Sequence, residues 1–583
     1  MKKVLKIATK RTKKFIIGIL ICSLISSFLR IYLTKFISFV IDGVIMQTTS
    51  LPRYLTNSFY GDDIKSELIV LAVYMLIFVA VISISNYIKS MLNTKFKLAM
   101  NKNLKTKLLN HTTYLEYGEY IKYGKSQILQ RVSSDSNNFV NFVNDKYNLL
   151  VDSIFTVIFS MFEILNINII VSSTISIIIF IIVIMSIIYF KVTKSIVQKN
   201  IDLHENLIQR TMNAVYNSKM IKIFNREKKE IKDFNKISDE YKKNDKKLID
   251  YLIYYELIGG GLRKIKDPVI FLIGGLLIIN GKMNIGSLMI LMTYSSNLLE
   301  YVLQLIYAVE GINEFLVPAN RIEQFINLTE EKEDKEEYKI DSISVEFRNV
   351  TASINNTKIL DNISFEINKG ETVYLVGDNG SGKSLLVKIL LGFIPYEGKI
   401  LLGGIDIKSL NNCTVRKYVG IVFQEPFIFS DTIKNNIDVF GQYKDINKIK
   451  DIAKICEIDG EIEKFSKGYN EIIGERGVNL SGGQKQRISI ARTLLQNKEI
   501  IIFDDVLSKV DNETKNRITA NLKQYNENAI AIYITQDLSK IPPKATVLFI
   551  NNKKILIDEQ EDLINQNEDY NRLINICNNI VGE

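Results

Sequence analysis

The sequence predicts an all-α membrane domain of six helices, followed by an α/β domain built on a parallel sheet. Two observations support this prediction. The stretches Leu68–Ile88 and Ile164–Phe190 contain no Asp, Glu, Lys or Arg, and a bilayer core requires about 20 consecutive apolar residues. Farther along, the apolar run Thr372–Val376 leads directly into a glycine-rich octapeptide, as a buried strand does when it ends in a phosphate-binding loop. The chain of 583 residues has room for both domains.

Six membrane helices are expected in the first half of the chain, at residues 15–45, 66–92, 146–165, 167–190, 250–280 and 285–312. The first, fifth and sixth contain charged residues, which are costly in a bilayer and usually face a cavity or a partner. The candidate cavity residues are Arg30, Lys35, Glu256, Arg263 and Glu300. Pairing between helices or snorkelling explains the same charges equally well.

The orientation of the membrane domain follows from its basic residues. The tail before the first span carries Lys2, Lys3, Lys6, Lys10, Arg11, Lys13 and Lys14, whereas the connections 166–168 and 280–286 carry one basic residue between them. Basic loops favour the cytoplasmic side, so the N-terminus and the polar segments 89–145 and 191–249 are expected in the cytoplasm. The formal charge of +10 lies mainly in these segments, which suits anionic lipid head groups and gives no reason to expect nucleic acid as a partner.

An acidic block at residues 329–337 separates the two halves of the chain. Blocks of this kind are typical of solvated linkers. We therefore predict a membrane domain at residues 1–328, an acidic linker at 329–340 and a nucleotide-binding domain at 341–583. The sequence shows no internal repeat, so each domain is present once.

The glycine-rich octapeptide predicts a nucleotide site. It consists of Gly377, Asp378, Asn379, Gly380, Ser381, Gly382, Lys383 and Ser384. Its glycines let backbone N–H groups close around phosphates, the lysine reaches the β- and γ-phosphates, and the Ser384 hydroxyl can bind Mg²⁺.

A second motif, Leu480-Ser481-Gly482-Gly483-Gln484, lies between this loop and the apolar run Glu499–Asp505. Here the chain resembles the ATP-binding cassette (ABC) transporter family, in which LSGGQ is the signature motif. The resemblance extends from residue 341 to the C-terminus. Gln424 is similar to the Q-loop glutamine, Asp504 to the Walker B aspartate, residues 474–477 to the exporter X-loop, and residues 508–511 to the D-loop.

This resemblance implies ATP and Mg²⁺ as cofactors, with Ser384, Gln424 and Asp504 around the metal. It also implies that Ser481, Gly482, Gly483 and Gln484 contact the γ-phosphate of ATP bound to a second cassette. The backbone amides that begin the helix after Ser481 suit an anion. Because two cassettes must enclose two nucleotides, the working unit is expected to be a dimer with a second half-transporter. Residues 123–135 and 221–227 are similar to the family's cytoplasmic loops, whose short helices rest on the cassettes.

Three residues depart from the family pattern at one site. Asp505 stands where the general base is usually Glu, Gln536 stands where a histidine usually contacts the γ-phosphate, and Ile354 stands where an aromatic ring usually stacks on adenine. A catalytic group misplaced by about 1 Å can lose roughly 100-fold in rate. Asp505 and Gln536 are therefore predicted to form a catalytic pair that binds ATP but hydrolyses it slowly.

The sequence favours an ATP-driven exporter of an amphipathic small molecule, a peptide or a lipid, located in the cell membrane. The intact signature motif beside a weakened own site indicates the degenerate-site subunit of a heterodimer, like those of bacterial multidrug or peptide exporters. A slow homodimeric ATPase and a nucleotide-gated regulatory subunit are the alternatives. The direction of transport rests on the resemblance alone.

Overall fold

The computed structural model describes residues 2–46, 64–310, 312–331, 340, 342–354, 357–439, 441–443, 445–474 and 477–581. The chain forms two compact units. The first comprises Met1–Thr113 and Lys125–Leu328, and the second comprises Tyr114–Gly124 and Thr329–Glu583.

The described residues of the first unit form helices joined by short turns. Its helices are α1 (Lys2–Ala8), α2 (Lys13–Ser38, continued by a π-helical stretch at Phe39–Ile45), α3 (Ile64–Thr113), α5 (Lys125–Gln130, continued by a π-helical turn at Arg131–Asp135), α6 (Ser136–Ile167), α7 (Ile169–Tyr216), α8 (Ser218–Ile223), α9 (Glu227–Ile279), α10 (Ile285–Glu310) and α11 (Ile312–Ile326). A further helix, α4 (Tyr117–Tyr123), belongs to the second unit. With 50 residues, α3 is about 75 Å long and extends well beyond a bilayer core.

Among the described residues, four helical stretches are long and apolar enough to cross a membrane: Lys13–Ile45, Glu67–Thr113, Lys125–Ile167 and Ile169–Tyr216. They cover the first four predicted spans except residues 66 and 168. The fifth and sixth predicted spans lie largely in α9 and α10 but are not among these four stretches. The fifth carries several charged residues, and the sixth contains Ser, Asn, Glu and Gln side chains.

Inside the first unit, α2, α3, α6 and α10 pack on one another, whereas α7 and α9 pack mainly on each other. The predicted cavity residues have partners within this unit. Lys35 on α2 lies 2.9 Å from the Glu163 carboxylate on α6, and Glu256 pairs with Arg263 along α9. Arg30 on α2 donates to the Tyr301 hydroxyl on α10, and Glu300 accepts from Gln304 at 3.3 Å. Ion pairing thus accounts for Lys35, Glu256 and Arg263, whereas Arg30 and Glu300 bond to uncharged side chains.

The described residues of the second unit form ten strands: β1 (Ser344–Ile354), β2 (Thr357–Asn368), β3 (Thr372–Gly377), β4 (Glu397–Leu402), β5 (Ile405–Asp406), β6 (Val419–Val422), β7 (Ile500–Asp504), β8 (Ile530–Ile534), β9 (Thr546–Asn551) and β10 (Lys554–Glu559). One sheet has the order β10-β9-β3-β8-β7-β6 and the other the order β2-β1-β4-β5. In the first sheet, β3, β6, β7, β8 and β9 run parallel, as the apolar runs before the two nucleotide motifs predict.

The helices of the second unit other than α4 alternate with these strands along the chain. They are α12 (Lys383–Leu390), α13 (Asn412–Tyr418), α14 (Ile433–Ile437), α15 (Ile446–Ile455), α16 (Asp459–Ile462), α17 (Gly482–Leu495), α18 (Asn512–Tyr525), α19 (Gln560–Gln566) and α20 (Glu568–Val581). Residues Ile500–Phe503 are buried on both faces, which is why β7 reads as a continuous apolar run. The carboxyl ends of β3 and β7 meet at one edge of the sheet, where open α/β sheets bind ligands.

The predicted linker is not solvated at Glu331, although Thr329 and Glu330 before it are exposed. The Glu331 side chain is 13% exposed and pairs with Arg416 at 2.9 Å, and residues 329–331 lie along residues 114–116 of the same unit. Residues 332–339 of the acidic block lie outside the described part of the chain.

Candidate nucleotide site

The phosphate loop joins β3 to α12 and depends on glycine at two crowded positions. Gly377 has φ +155°, and a Cβ there would lie 2.6 Å from the Ile550 carbonyl oxygen. Gly382 has φ +111°, and its Cβ would lie 2.8 Å from a Leu360 methyl group. Both conformations are ones that L side chains rarely adopt. The loop can therefore take this tight path only with glycine at these positions.

Lys383 begins α12 and is 9% exposed. Its ammonium donates to the carbonyls of Gly377 at 2.5 Å and Asp378 at 3.0 Å. Burial lowers the pKa of Lys383, and the carboxylates of Asp378, Asp504 and Asp505 oppose that shift.

The loop also contains a hydroxyl that fits an anion. The Ser381 hydroxyl oxygen is buried and has no hydrogen-bond partner in the described structure. A buried polar group without a partner costs free energy comparable to a lost hydrogen bond. A phosphate group in this loop would supply the missing partner, so the residues present fit a nucleotide.

The end of β7 brings two adjacent carboxylates to the same edge. The pKa of Asp504 is raised by burial and by the neighbouring Asp505, and Lys383 opposes this. Asp505 has the left-handed φ of +46°, and its N–H donates to the Ile534 carbonyl at 3.0 Å. Asp and Asn enter that region more readily than longer side chains do, because they can hydrogen-bond locally. The backbone therefore favours a short carboxylate at this position.

The Asp505 carboxylate has a second restraint in Gln424, whose side-chain amide donates to it at 3.1 Å. Burial raises the pKa of Asp505, while the Gln424 hydrogen bond and the Lys515 ammonium lower it. The amide oxygen of Gln424 is the acceptor that this bond leaves available. Oxygen ligands are what Mg²⁺ prefers, and Gln424, Ser384 and Asp504 line one cavity.

This cavity has a volume of about 310 Å³. The predicted site residues that line it are Asn379, Gly380, Gly382, Lys383, Ser384, Gln424, Asp504, Asp505 and Gln536. Ile354 lines it too, together with Ile359 and Ile394. Gly377, Asp378 and Ser381 do not line it, but Gly377 and Asp378 contribute the carbonyls that hold Lys383. The sequence-predicted phosphate, metal and base positions thus come together in one place.

The signature residues do not line this cavity. Ser481 caps α17: its hydroxyl accepts from the Gln484 N–H at 3.2 Å, and its own N–H donates to the Gln484 side chain at 2.9 Å. The Gln484 side chain also donates to Glu461 at 2.8 Å. A Cβ on Gly483 would lie 3.0 Å from the Lys509 carbonyl oxygen. The cap, the glycines and the 508–511 turn therefore form one packed surface apart from the cavity.

Sequence reasoning did not find Lys515, Ile359, Ile394 or Lys388. Lys515 lies 4.0 Å from the Asp537 carboxylate, which also pairs with Lys540 at 2.9 Å. Lys388 lies on α12 just after the phosphate loop, whereas Ile359, Ile394 and Lys515 reach the site through the packing of more distant segments, which no local pattern identifies. Two members of the predicted X-loop, Glu475 and Arg476, lie outside the described residues.

Comparison with known proteins agrees with this architecture. The family model described as ABC transporter matches residues 360–508, and the family model described as ABC transporter transmembrane region matches residues 15–302. The second match includes all of the fifth predicted span and residues 285–302 of the sixth. An ATP-binding/permease protein of Rickettsia typhi is 30% identical over 538 residues, which cover 86% of this chain and 88% of that protein. The chain belongs to the ABC transporter family.

Within that family the chain has the exporter fold. A solved structure titled as a bacterial Atm1-family ABC exporter with ATP bound superposes with a TM-score of 0.79 at 21% identity, covering 96% of this chain and 98% of that one. The multidrug resistance-like ATP-binding protein MdlA of Buchnera aphidicola is 30% identical over 558 residues, covering 93% of this chain and 92% of that protein. The protein is a multi-pass membrane half-transporter with one ATP-binding cassette.

Proposed function

We propose that the chain is one half of a dimeric exporter in the cell membrane, with the cassette on the cytoplasmic side. It moves an amphipathic small molecule, a peptide or a lipid outward at the expense of ATP. The relatives support export, since one carries a multidrug resistance-like name. The α7–α9 pair, which packs mainly on itself within the first unit, supports a dimer because it leaves helical surface for a second half.

The conformation of Asp505 is the observation on which the further proposal of a slow own site rests. Its carboxylate is one methylene shorter than glutamate, its backbone is left-handed, and Gln424 holds its side chain. Gln536 lines the same cavity but cannot carry the positive charge of an imidazolium. The signature helix, in contrast, has a complete capping box. We therefore assign the chain to the degenerate-site position of a heterodimer, with the faster site built from its signature and a partner's phosphate loop.

The experiment compares two substitutions in the complex purified through a tag on this chain. We expect Asp505→Asn to leave most of the ATPase activity, because the site built from this chain's phosphate loop and Asp505 contributes little to it. Ser481→Arg is expected to abolish most of it, since a bulky cation then occupies the surface that closes on the partner's nucleotide, where positioned donors stabilise developing charge.

The matched control is Ser409→Arg, which places the same side chain at an exposed serine outside the signature. Its activity is expected to stay unchanged. A slow homodimer is the second candidate, and it predicts that Asp505→Asn and Ser481→Arg are equally severe, because both sites are then alike. Comparable losses in the two variants would refute the heterodimer assignment.

A further inference from the structure

Arg416, on α13 of the second unit, contacts two segments from different parts of the chain, and one of them pairs with a third segment. Its Nη1 and Nη2 groups donate to the two carboxylate oxygens of Glu331, each at 2.9 Å. Its Nε donates to the Leu391 carbonyl at 3.2 Å. The Cζ atom of the guanidinium also lies over the Phe393 ring, 4.8 Å from its centre. The guanidinium therefore donates hydrogen bonds along its edges and contacts an aromatic ring with its face.

The first two segments are residues 114–116 and residues 329–331, which pair as short antiparallel strands. Leu115 and Glu330 form an antiparallel bridge. The Glu116 N–H donates to the Thr329 carbonyl at 3.0 Å, and the Glu331 N–H donates to the Tyr114 carbonyl at 2.6 Å. Leu115 is 6% exposed. Backbone hydrogen bonds thus join the segment that directly follows α3 to the segment that follows α11.

The third segment is the end of α12, the helix that begins at Lys383 of the phosphate loop. Leu391 and Phe393 follow this helix directly. The Phe393 ring stacks on Tyr117 of α4, with ring centres 4.3 Å apart and planes 29° apart. We call Arg416, Glu331, Leu391, Phe393 and Tyr117 the Arg416 clamp.

We propose that the Arg416 clamp transmits nucleotide binding at the phosphate loop to α3 and α11, with Arg416 as the positioning residue. Lys383 lies at the start of α12 and the clamp holds its end, so phosphates that shift the start of this short helix also shift the clamp. Chain continuity carries the displacement onward, because Tyr114 directly follows α3 and Thr329 lies just beyond α11. The inference rests on the proposed ATP-driven transport.

Arginine is specifically suited to this position. A planar guanidinium can make a bidentate bond to a carboxylate and stack on an aromatic ring at the same time, whereas a lysine ammonium is a point charge. Arg416 is 29% exposed and Glu331 13%, so the pair is only partly screened by water. Arg416→Lys keeps the positive charge but loses the bidentate bond to Glu331 and the planar contact with Phe393. This variant therefore tests whether the planar geometry of the guanidinium is required.

The absence of Trp from the chain gives a clean reporter. Tyr87 lies on α3 and is 73% exposed, so Tyr87→Trp introduces a single tryptophan in the membrane unit, which is excited selectively at the red edge of its absorption band, where the tyrosines of the chain do not absorb. In the reporter protein we expect ATP with Mg²⁺ to change the emission maximum and the quenching by acrylamide. Adding Arg416→Lys or Glu331→Gln is expected to reduce this change by about fivefold or more, because the bidentate bond is lost. The affinity for labelled ATP is expected to stay within about twofold, since the clamp lies outside the nucleotide cavity.

Arg348→Lys is the matched control. Arg348 also forms a two-bond pair with a carboxylate, that of Glu346, at 2.5 and 2.8 Å, but this pair lies within β1. We expect the control to keep the full fluorescence response. If Arg416→Lys does not fold, the milder Glu331→Gln variant decides the question.

A response that survives both clamp substitutions overturns the proposal, and so does an equal loss in the Arg348→Lys control. A response and an ATP affinity that fall together also overturn it, because Arg416 would then only stabilise the cassette. A reporter protein that binds ATP but shows no response counts against transmission as well. If the reporter protein binds no ATP, the proposed function itself fails, which separates the two hypotheses.

Discussion

Lengthening the carboxylate at position 505 should lower the stability of the cassette and raise its rate of ATP hydrolysis. Asp505 has φ +46°, and a left-handed conformation costs an ordinary residue roughly 1–2 kcal/mol more than a residue that tolerates it. We expect Asp505→Glu to destabilise the cassette by about 1 kcal/mol, which lowers the Tm by about 2–4 °C for a domain of this size. The longer side chain also has to give up the present hydrogen bond from Gln424.

The same change should accelerate ATP hydrolysis. One methylene extends the carboxylate by about 1 Å, and a misplacement of that size can account for roughly 100-fold in rate. This corresponds to about 2.7 kcal/mol of activation free energy, which exceeds the expected loss of stability. We therefore expect kcat to rise by about 10- to 100-fold while the KM for ATP changes little.

The assay is steady-state ATPase of the chain purified alone in nanodiscs, where its own sites set the rate, together with thermal unfolding of the same samples. Asp504→Glu is the matched control, because it makes the same change at the adjacent residue, whose φ is not positive. It should reduce activity by displacing a Mg²⁺ ligand. A lower Tm for Asp505→Glu without a rise in kcat would refute the idea that reach limits the reaction.

Three further predictions concern the loop, the topology and the pH dependence. Lys383→Ala should weaken binding of labelled ATP by about 10-fold or more, because a charge-assisted contact of about 1.5–3 kcal/mol is lost; unchanged affinity would show that Lys383 does not contact the phosphates. Cysteines introduced at Lys122 and Lys229 should react with a membrane-impermeant thiol reagent only from the cytoplasmic side, and labelling of intact cells would contradict the topology. In the chain purified alone, ATPase activity should fall as the pH drops through the raised pKa of Asp505, and Lys515→Met should move this acid limb to higher pH because Lys515 lowers that pKa; an unmoved limb would exclude Asp505 as the titrating base.

The parts of the fold that could be predicted from sequence are those encoded locally. The uncharged stretches, the apolar run before Gly377 and the buried run before Asp504 each contain their own signal within a few residues. The fold class and the order of the two domains followed from them. The motifs also placed the phosphate loop and the two adjacent aspartates at one sheet edge, since parallel strands present their carboxyl ends together.

Contacts between distant segments could not be predicted in the same way. The acidic block at residue 329 was expected to be solvated, yet Glu331 pairs with Arg416, 85 residues farther along. The Gln424 bond to Asp505 joins residues 81 positions apart. A single sequence gives the composition and the hydrophobic periodicity of each helix or strand, but it does not state which loop packs against which strand.

The left-handed backbone at Asp505 offers a physical reason for one of the three departures from the family pattern at the site that this chain's phosphate loop builds. If the fold requires this φ, a glutamate there is strained, and a short carboxylate relieves the strain but cannot reach as far. The signature surface of the same chain shows no comparable strain. Ser481 and Gln484 form a reciprocal capping box at the N-terminus of α17, and Gln486 accepts from the Lys509 N–H at 3.1 Å. Each site of a dimer combines the phosphate loop of one chain with the signature of the other. A chain with one compromised and one intact surface is therefore best suited to a partner with the opposite distribution, because only unlike halves give at least one site with both surfaces intact.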